Sequence, residues 1–359
     1  MPVDSINGII HDFYPSISPD GQAMYFTKGN YIWVSNWNGS SWGTPAILGE
    51  NINSGQRQIK ATVTPDNQTL YFTSWRAGGY GTYDIWKSNW DDSCECWDEA
   101  AILPPPLSTE YMEWDVQLSY DGRKMYISSD RQFSWGDFDI WCSDWDDSAQ
   151  DWGTPYNLGT TINTSSRDYS AYPSLAGNVL FFASWSRHGF WPPAWQDPPE
   201  LFVAYNRNGA WDSLTILTSL NSEYWDESPA LSWDGMSLYF ASSRNNPDGW
   251  SDIYVSTRAN NIEDDIETPQ GSGHNLNIYP NPGNNAINFN LHPKAGSANI
   301  QLIIVNILGQ KIVQMDIGNS LTTTWDCRDY LGKEVSSGCY FAICSAPGLR
   351  VAKRFQILK

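Results

Sequence analysis

The segment VQLSYDGRKMYISSDR, from Val116 to Arg131, contains an alternating stretch, an Asp-Gly turn and a second stretch rich in Tyr and Ile. An Asp-Gly pair between two alternating stretches is a strong signal for a β-hairpin. Similar segments recur along the chain: YPSISPDGQAMYFTKG from Tyr14, ATVTPDNQTLYFTSWR from Ala61, YPSLAGNVLFFASWSR from Tyr172 and SPALSWDGMSLYFASSR from Ser228. Their turns lie roughly 46 to 57 residues apart. The sequence therefore repeats one β unit five times.

Each repeat continues with a third and a fourth strand. The third strands read YIWVS, YDIWKS, FDIWCS, ELFVAY and SDIYVS, and the fourth strands begin near Trp42, Trp97, Trp152 and Trp211. Four antiparallel strands per repeat, without helical periodicity, predict an all-β fold, a five-bladed β-propeller over residues 1–257. The repeats resemble the TolB-type, WD-like propeller repeats of bacterial envelope proteins in their Ser-Pro-Asp-Gly turns, Ser-x-Arg ends and Asp-Ile-Trp or Asp-Ile-Tyr strands. That resemblance implies a binding or interaction module and leaves the activity open.

The two ends of the predicted propeller differ from the other repeats. The fifth repeat ends near Ser256 without a visible fourth strand, and Ile6-Asn7 at the other end matches Ile52-Asn53 and Ile162-Asn163. We therefore expect Met1-Pro2-Val3 to be the end of a fourth strand that completes the last blade. Because this strand is short, we also expect the natural gene to begin further upstream.

The chain changes character near residue 275. The first 274 residues hold 36 of the 40 acidic side chains and 19 of the 20 tryptophans, but only 13 of the 21 basic side chains. Residues 258–274 are polar and acidic, which is typical of a solvated linker. Residues 275–359 then contain short alternating stretches separated by Pro, Gly and Asn, which predicts a small immunoglobulin-like β-sandwich.

The tail also resembles the C-terminal sorting domain of the type IX secretion system (Por secretion tail). That family has a Tyr-Pro-Asn-Pro opening, a Leu-Gly-Gln/Lys hairpin, a Trp-Asp-Gly turn, a Ser-Gly-x-Tyr segment and a last strand with lysines. The matching residues here are Tyr279, Pro280, Asn281, Pro282, Gly309, Trp325, Asp326, Gly338, Tyr340, Lys353 and Lys359. Cys327 stands where the family usually has glycine, which leaves the geometry of that turn open.

The resemblance implies a route and a location. A sorting domain implies the type IX secretion machinery as partner and a protein that is secreted or held on the outer surface of a Gram-negative bacterium. Export by this route also requires a signal peptide, which residues 1–10 do not contain, so we expect one upstream. An immunoglobulin-like domain used for adhesion or spacing is the alternative for the tail.

Composition excludes several classes of partner. The net charge of −19 argues against nucleic acid and anionic membranes. No apolar run is long enough to form a transmembrane helix. Three cysteines precede residue 275 and three follow it, so each half should keep at least one free thiol, while Cys94 and Cys96 could form a local disulfide.

Acidic residues begin the first strands of four repeats. Because strand starts at this point of a propeller blade face one mouth of the central channel, they predict a ligand site there, with neighbouring tryptophans that could stack on sugars. The candidates are Asp12, Glu113, Asp115, Asp168, Asp226, Glu227, Trp114 and Trp225. Such a mouth could hold a cation such as Ca²⁺, a polysaccharide, a peptidoglycan fragment or a protein. The alternative is structural: the acids cap turns and the tryptophans pack between blades.

Enzyme activity is the less favoured hypothesis. A glycoside hydrolase or lyase could use two carboxylates of the channel mouth, since glycoside hydrolysis needs a pair about 5–10 Å apart. However, a catalytic acid and base should differ, whereas these acids recur from repeat to repeat. No nucleophile elbow, zinc helix or phosphate loop is present. The least repetitive stretch of the propeller, from His188 to Glu200, is the next candidate for a binding site.

The repeats also suggest a set of ion pairs. Arg76, Arg131 and Arg244 each lie eight residues before an aspartate: Asp84, Asp139 and Asp252. We expect each pair to join the end of a second strand to the start of the third.

Overall fold

The computed structural model of the protein describes residues 1–8, 10–185, 198–207, 209–246, 249–257, 275–280, 286–292, 300–306, 311–318, 321–330, 332–335, 338–346 and 349–357. These residues form β-strands, turns and irregular segments without a helix, so the predicted all-β class is confirmed. Among them, no helix has the length and apolar character needed to cross a membrane. The chain divides into two compact units, Met1–Glu263 and Asp264–Lys359. The predicted linker, residues 258–274, lies almost entirely outside the described residues, and its boundaries stay a prediction.

The described strands of the N-terminal unit form five antiparallel sheets. Sheet 1 contains β1 (Asp12–Ile17), β2 (Ala23–Lys28), β3 (Tyr31–Asn36) and β4 (Ala46–Ile47). Sheet 2 contains β5 (Gln58–Val63), β6 (Thr69–Ser74), β7 (Asp84–Asp91), β8 (Cys96–Trp97) and β9 (Ala101–Ile102). Sheet 3 contains β10 (Glu113–Leu118), β11 (Lys124–Ser129), β12 (Asp139–Asp146), β13 (Asp151–Trp152) and β14 (Tyr156–Asn157). Sheet 4 contains β15 (Asp168–Pro173), β16 (Val179–Ser184), β17 (Glu200–Arg207) and β18 (Ala210–Ile216). Sheet 5 contains β19 (Asp226–Leu231), β20 (Ser237–Ser242) and β21 (Asp252–Thr257).

The first strands of the five sheets contact one another in a closed order. β1 contacts β5, β5 contacts β10, β10 contacts β15, β15 contacts β19, and β19 contacts β1. Hydrophobic clusters fill the spaces between neighbouring sheets; one joins Tyr25 and Ile32 of sheet 1 to Phe72 and Trp86 of sheet 2. The core of this unit therefore lies between sheets.

Sheet 5 is extended by the N-terminal residues. Val3 N–H donates to the Ile253 carbonyl at 2.9 Å, and Pro2 forms an isolated bridge with Tyr254. The Asn7 side chain also pairs with the backbone of Ile253 in both directions, at 2.9 and 2.8 Å. The predicted pairing of Met1-Pro2-Val3 with the last repeat is confirmed.

The same polar contact joins the segment before each first strand to the third strand of a neighbouring sheet. Asn53, Asn163 and Asn221 bind both backbone groups of one residue in β3, β12 and β17, as Asn7 does in β21. Ser108 does so in β7. The side chain gives the buried backbone N–H an acceptor, and the carbonyl of the same residue also accepts from a second backbone N–H: that of Val3, Leu48, Leu103, Leu158 or Leu217.

The residue that begins each first strand is buried and polar. This start position is occupied by Asp12, Gln58, Glu113, Asp168 and Asp226. In four sheets its carboxylate accepts a hydrogen bond from the backbone N–H four residues earlier: Gly8, Thr109, Thr164 and Ser222. In sheet 2 the Gln58 amide donates to the Ser54 hydroxyl, also four residues earlier.

Cationic side chains at the end of the second strand, or two residues beyond it, complete three of these sites. Lys28 pairs with Asp12 at 3.0 Å, Arg131 with Glu113 at 3.2 Å and Arg244 with Asp226 at 2.5 Å. The predicted Arg–Asp pairs eight residues apart are therefore wrong. The physical reason is the register of the hairpin: Glu113 lies opposite Ser129, so an arginine two residues after that serine reaches Glu113. Asp139 instead accepts hydrogen bonds from Trp135 N–H and the Asn157 amide.

Two sheets make up the described part of the C-terminal unit. One contains β22 (Asn275–Tyr279), β23 (Ile287–His292) and β26 (Thr322–Trp325). The other has the order β25 (Lys311–Gly318), β24 (Ile300–Asn306), β27 (Gly338–Ala346) and β28 (Leu349–Ile357). One cluster of buried side chains, including Phe289, Leu302, Trp325 and Phe355, draws on both sheets.

The cysteines follow the predicted division. Cys94 and Cys96 form a disulfide, and Cys142 is a free, buried thiol in the N-terminal unit. In the C-terminal unit Cys327 and Cys344 are free and buried. Each half thus holds a free thiol, as the counts predict.

The buried pair in sheet 3 yields a stability prediction. We expect Arg131→Met to lower the free energy of unfolding by about 3 kcal/mol, because it leaves the Glu113 carboxylate buried without its cation. The matched control is Arg123→Met, which removes an exposed pair with Asp147 and should cost less than about 1 kcal/mol. Urea unfolding followed by tryptophan fluorescence measures both values. Equal costs for the two variants would contradict the role assigned to Arg131.

Candidate functional site

All five sheets of the N-terminal unit contribute to one cavity of about 570 Å³. We call it the shared cavity. Its lining comprises His11, Phe13, Tyr14, Arg57, Met112, Trp114, Asp130, Asp137, Phe138, Arg167, Tyr169, Trp185, Trp225, Glu227, Gly249 and Ser251. Seven of these side chains are aromatic rings of Phe, Tyr or Trp. Exposed Trp225 and Asp137 stand at its solvent side.

The alternation of side chains along a strand explains this lining. Successive residues of a β-strand point to opposite faces. The side chain at the start position makes its contacts within its own sheet. The residues before and after it lie on the opposite face of the strand, so their side chains point into the shared cavity. The preceding residues all line it: His11, Arg57, Met112, Arg167 and Trp225. The following residues line it in four sheets: Phe13, Trp114, Tyr169 and Glu227.

A chain of hydrogen bonds leads across the cavity to Glu227. The Trp185 indole N–H donates to the Tyr169 hydroxyl at 3.0 Å, and that hydroxyl donates to Glu227 Oε2 at 2.8 Å. Burial raises the pKa of the Glu227 carboxyl to about 7, although the Tyr169 hydrogen bond lowers it. No hydrogen bond to Glu227 Oε1 is found among the described residues. The cavity therefore holds a carboxyl group that can accept or donate a hydrogen bond near neutral pH.

Two arginines form part of the cavity wall by stacking on aromatic rings. The Arg57 guanidinium lies 5.7 Å from the Phe13 ring centre and 5.6 Å from that of Trp114. Arg167 lies 5.8 Å from the ring centre of Phe138 and 5.2 Å from that of Trp185. Stacking on an aromatic face stabilises a cation and holds the guanidinium plane in place.

Irregular first strands add strained backbone near the cavity. Each first strand has a register shift after its first or second residue. Tyr14, Lys60, Ser170 and Ser228 have φ values of 54°, 21°, 55° and 55° at these bulges. Bulges of this kind re-aim side chains and are common near functional sites. They allow Tyr14, two residues after the start position, to line the cavity as well.

One bulge buries a lysine. Lys60 is fully buried, its ammonium lies 5.4 Å from the Tyr172 ring centre, and no hydrogen bond to Nζ is found among the described residues. Burial lowers the pKa of Lys60 to about 8, and Asp115 acts against that shift. Lys60 does not line the shared cavity.

The structure brings together only some of the residues predicted from the sequence. Trp114, Trp225 and Glu227 line the shared cavity. Asp115 is buried beside it and accepts hydrogen bonds from Ser128 and Ser170. The four acids at start positions do not line it: Asp12, Glu113, Asp168 and Asp226. Because side chains alternate along a strand, theirs lie on the face that points away from the cavity.

Sequence reasoning missed most of the lining. The pattern of acids at strand starts did not predict Arg57, Arg167, His11 and Tyr169, which are not acidic. The available signal was the alternation: residues on either side of each start position share a face. The insert from His188 to Glu200 lies mostly outside the described residues.

Metal binding stays a prediction. Among the described residues, no three His, Cys, Asp or Glu side chains are grouped as a metal site would require. Six carboxylates could hold the cation expected from the sequence, and the four of them at start positions already accept hydrogen bonds from backbone N–H groups.

The described sorting-motif residues serve different roles in the tail. Trp325 and Tyr340 are buried in the core, with ring centres 6.0 Å apart, and the Trp325 indole donates to the Arg328 carbonyl. Cys327 has φ of 58°, so it adopts the left-handed conformation that glycine takes most easily. Exposed motif residues are Tyr279, Pro280 and Asp326, while Gly338 and Lys353 lie in paired strands. Asn281, Pro282, Gly309 and Lys359 lie outside the described residues.

Residues 277–358 match the model of the secretion system C-terminal sorting domain. The tail is therefore a type IX sorting domain, as its motifs predict. Such a domain implies that the protein is secreted to the cell surface or beyond, and that its tail interacts with the type IX secretion machinery. Comparison with curated protein sequences gives no match.

Solved structures similar to this chain include propeller proteins. TolB from Acinetobacter baumannii has 14% identity and a TM-score of 0.44, over 70% of this chain and 53% of that one. PorZ, a surface component of the type IX secretion system of Porphyromonas gingivalis, has 13% identity and a TM-score of 0.38, over 97% and 45%. A GH43 endo-arabinanase from Bacillus licheniformis has 15% identity and a TM-score of 0.45, over 70% and 95%. This chain thus spans about half the length of the first two, and similarities at this level say nothing about its activity.

The raised pKa of Glu227 predicts a pH dependence of stability. Between about pH 4.5 and 7 the folded protein binds a proton at Glu227 that the unfolded chain has released, so the free energy of unfolding should fall as pH rises through this range. Glu227→Gln should make the decrease in the free energy of unfolding over this pH range smaller, by a value of the order of 2 kcal/mol. Urea unfolding at several pH values measures it. The remaining pH dependence of the free energy of unfolding should come from the buried Asp12 and Glu113, whose pKa values are raised to about 6 and about 7.

The control for this experiment is Asp147→Asn, which changes an exposed carboxylate. It should reproduce the slope of the unmodified protein. A Glu227→Gln protein with that same slope would show that Glu227 titrates as an ordinary, solvated carboxyl group.

Proposed function

We propose that this protein is a secreted binding protein that holds a saccharide in the shared cavity of a five-bladed β-propeller. The single observation that carries the proposal is a cavity whose wall is largely aromatic and which contains the Glu227 carboxyl group. The sorting domain delivers this module to the cell surface or the surrounding medium. Nucleic acid is not among the proposed partners, because the chain is strongly acidic.

The closed order of contacts between first strands supports the five-bladed architecture. Five antiparallel sheets, each touching the next along its first strand, correspond to blades around an axis. For the tail, two sheets with a common core support the immunoglobulin-like sandwich.

The chemistry of the cavity wall supports a sugar ligand. Sugar rings present apolar C–H faces that pack on aromatic rings, and hydroxyl groups that need polar partners. Trp225, Trp114 and Tyr169 supply such faces, and Glu227 Oε1 is available for a hydroxyl group. A simple cationic ligand is less favoured, because Arg57 and Arg167 share the cavity.

Hydrolysis of a glycan is the second candidate function. The observation that favours it is the pKa of Glu227, which suits a general acid near neutral pH. The nearest predicted partner, Asp115, is a weaker candidate for the second carboxylate. Both of its oxygens accept hydrogen bonds from serine groups, and it does not line the cavity. Binding is therefore preferred to catalysis.

The cavity proposal predicts which tryptophan matters for binding. Trp225→Ala should weaken the affinity for a bound oligosaccharide by about tenfold, because an aromatic stacking surface is lost. Trp135→Ala, at an exposed tryptophan outside the cavity, should leave the affinity unchanged. Isothermal titration calorimetry against neutral and uronate-containing oligosaccharides from plant and bacterial cell walls measures both.

Two outcomes would contradict this view. Binding that Trp135→Ala weakens as much as Trp225→Ala would move the site out of the shared cavity. Release of reducing ends from the oligosaccharides, lost in Glu227→Gln, would favour the hydrolase instead.

Secretion predicts the state of the tail. Because the sorting domain is a separate unit behind an acidic segment, we expect protein recovered from the cell surface or the medium to end between residues 258 and 275. Intact-mass spectrometry determines that end. Recovery of only full-length protein outside the cell would argue against removal of the tail.

A further inference from the structure

The two arginines of the shared cavity occupy equivalent places in two sheets. Arg57 precedes the start residue Gln58 of sheet 2, and Arg167 precedes the start residue Asp168 of sheet 4. Their backbones make the same contact, since the Arg57 carbonyl accepts from Trp75 N–H and the Arg167 carbonyl accepts from Trp185 N–H, each at 3.0 Å. Both guanidinium groups stack on two aromatic rings.

Only one of the two has a carboxylate partner. Arg167 Nε lies 2.5 Å from Asp137 Oδ2. No carboxylate lies within ion-pair distance of Arg57 among the residues that the structure describes, and its Nε is buried without a hydrogen bond there. A buried guanidinium N–H without an acceptor costs free energy that a bound acceptor would recover.

The reason for this difference lies in the neighbouring sheets. Asp137 precedes Phe138, whose carbonyl accepts from Asp168 N–H. The corresponding acceptor for Gln58 N–H is the Asn30 carbonyl, and the residue before Asn30 is Gly29. The residue equivalent to Asp137 is therefore a glycine, which offers Arg57 no carboxylate. Arg57 instead borders the open volume of the shared cavity, which a ligand carboxylate can enter.

We propose that Arg57 recognises a carboxylate of the ligand, so that the shared cavity selects acidic sugars over neutral ones. This inference rests on the proposed saccharide function. The ligand carboxylate takes the place beside Arg57 that Asp137 has beside Arg167, while the sugar ring packs on the aromatic wall formed by Trp114 and Trp225. A guanidinium is well suited to this role, because its fork of N–H donors matches the two carboxylate oxygens.

The charges around the site favour this assignment. Asp130 accepts from Met112 N–H, and Asp137 is paired with Arg167. Glu227, the third acid of the lining, accepts a hydrogen bond from Tyr169. In the proposed complex its other oxygen accepts a hydrogen bond from a sugar hydroxyl. Arg57, which hydrogen-bonds to Tyr83 and whose charge lowers the pKa of the Glu227 carboxyl, is therefore the arginine of the described lining without a carboxylate at ion-pair distance.

The test compares pairs of oligosaccharides that differ only in the carboxylate. The probes are trigalacturonate and its carboxyl-reduced galactose counterpart, with a second pair built on glucuronate and glucose. We expect the full-length protein to bind at least one uronate about tenfold or more tightly than its neutral counterpart. Titration calorimetry at low and at physiological salt measures the ratio.

Two variants assign the preference to one arginine. Arg57→Gln should reduce the uronate preference to less than about twofold, because it lowers the affinity for the uronate more than the affinity for the neutral sugar. Arg167→Gln, the matched control with a partnered guanidinium, should keep the preference. Thermal melting of both variants verifies that the fold is intact, and Arg57→Lys should recover only part of the preference because it lacks the planar fork.

The outcomes separate this inference from the proposed function. Neutral and acidic sugars that bind equally well would overturn the role of Arg57 and leave the saccharide function in place. A uronate preference that survives Arg57→Gln but is lost in Arg167→Gln would also overturn it. Failure of both probe pairs, and of the wider panel, to bind would overturn the saccharide function and this inference together.

Discussion

The N-terminal unit depends on one buried polar residue at the start of every first strand. A carboxylate at this depth is costly unless its charge is balanced and its oxygens accept hydrogen bonds. The chain supplies an N–H donor four residues earlier in each of the four sheets that begin with an acid. A lysine at the end of the second strand, or an arginine two residues beyond it, adds the cation in sheets 1, 3 and 5. This contact fixes where each first strand begins and which way its side chains point.

The cavity follows from that constraint. Because the start residue makes its contacts within its own sheet, the residues on both sides of it point the other way. The five sheets thus bring nine such residues together, the preceding residue of all five and the following residue of four. The positions that form the cavity are thus free to vary in chemistry without disturbing the repeat. The five equivalent positions hold a histidine, a methionine, a tryptophan and two arginines: His11, Met112, Trp225, Arg57 and Arg167. A repeated scaffold carries a site that is not repeated, which is how one fold can host different ligands.

Charge in this molecule is divided between surface and interior. The acidic excess belongs to the whole N-terminal half, whereas the shared cavity contains two stacked arginines and a carboxyl group with a pKa of about 7. The net charge of the chain therefore predicts that large anionic partners such as nucleic acid are repelled. It does not predict which small ligand the cavity binds. Within the cavity, one side chain makes the difference between the two arginines: Asp137 pairs with Arg167, and no described carboxylate lies at ion-pair distance from Arg57.

The sequence by itself determined the repeat, the all-β class and the identity of the tail. These rest on short-range signals: Asp-Gly turns, period-two alternation and motifs such as Trp325-Asp326 that lie within a few residues of each other. The pairing of Met1-Pro2-Val3 with the last repeat also followed from a local match, Ile6-Asn7 with Ile52-Asn53. Only the tertiary structure decided which carboxylates are structural and which face a ligand. Arg131 binds Glu113 rather than Asp139 because hairpin register, not distance along the chain, sets the neighbours. Glu227 faces the cavity while Asp226 does not, because adjacent residues of a strand point to opposite faces and only the packed sheets define which face is which.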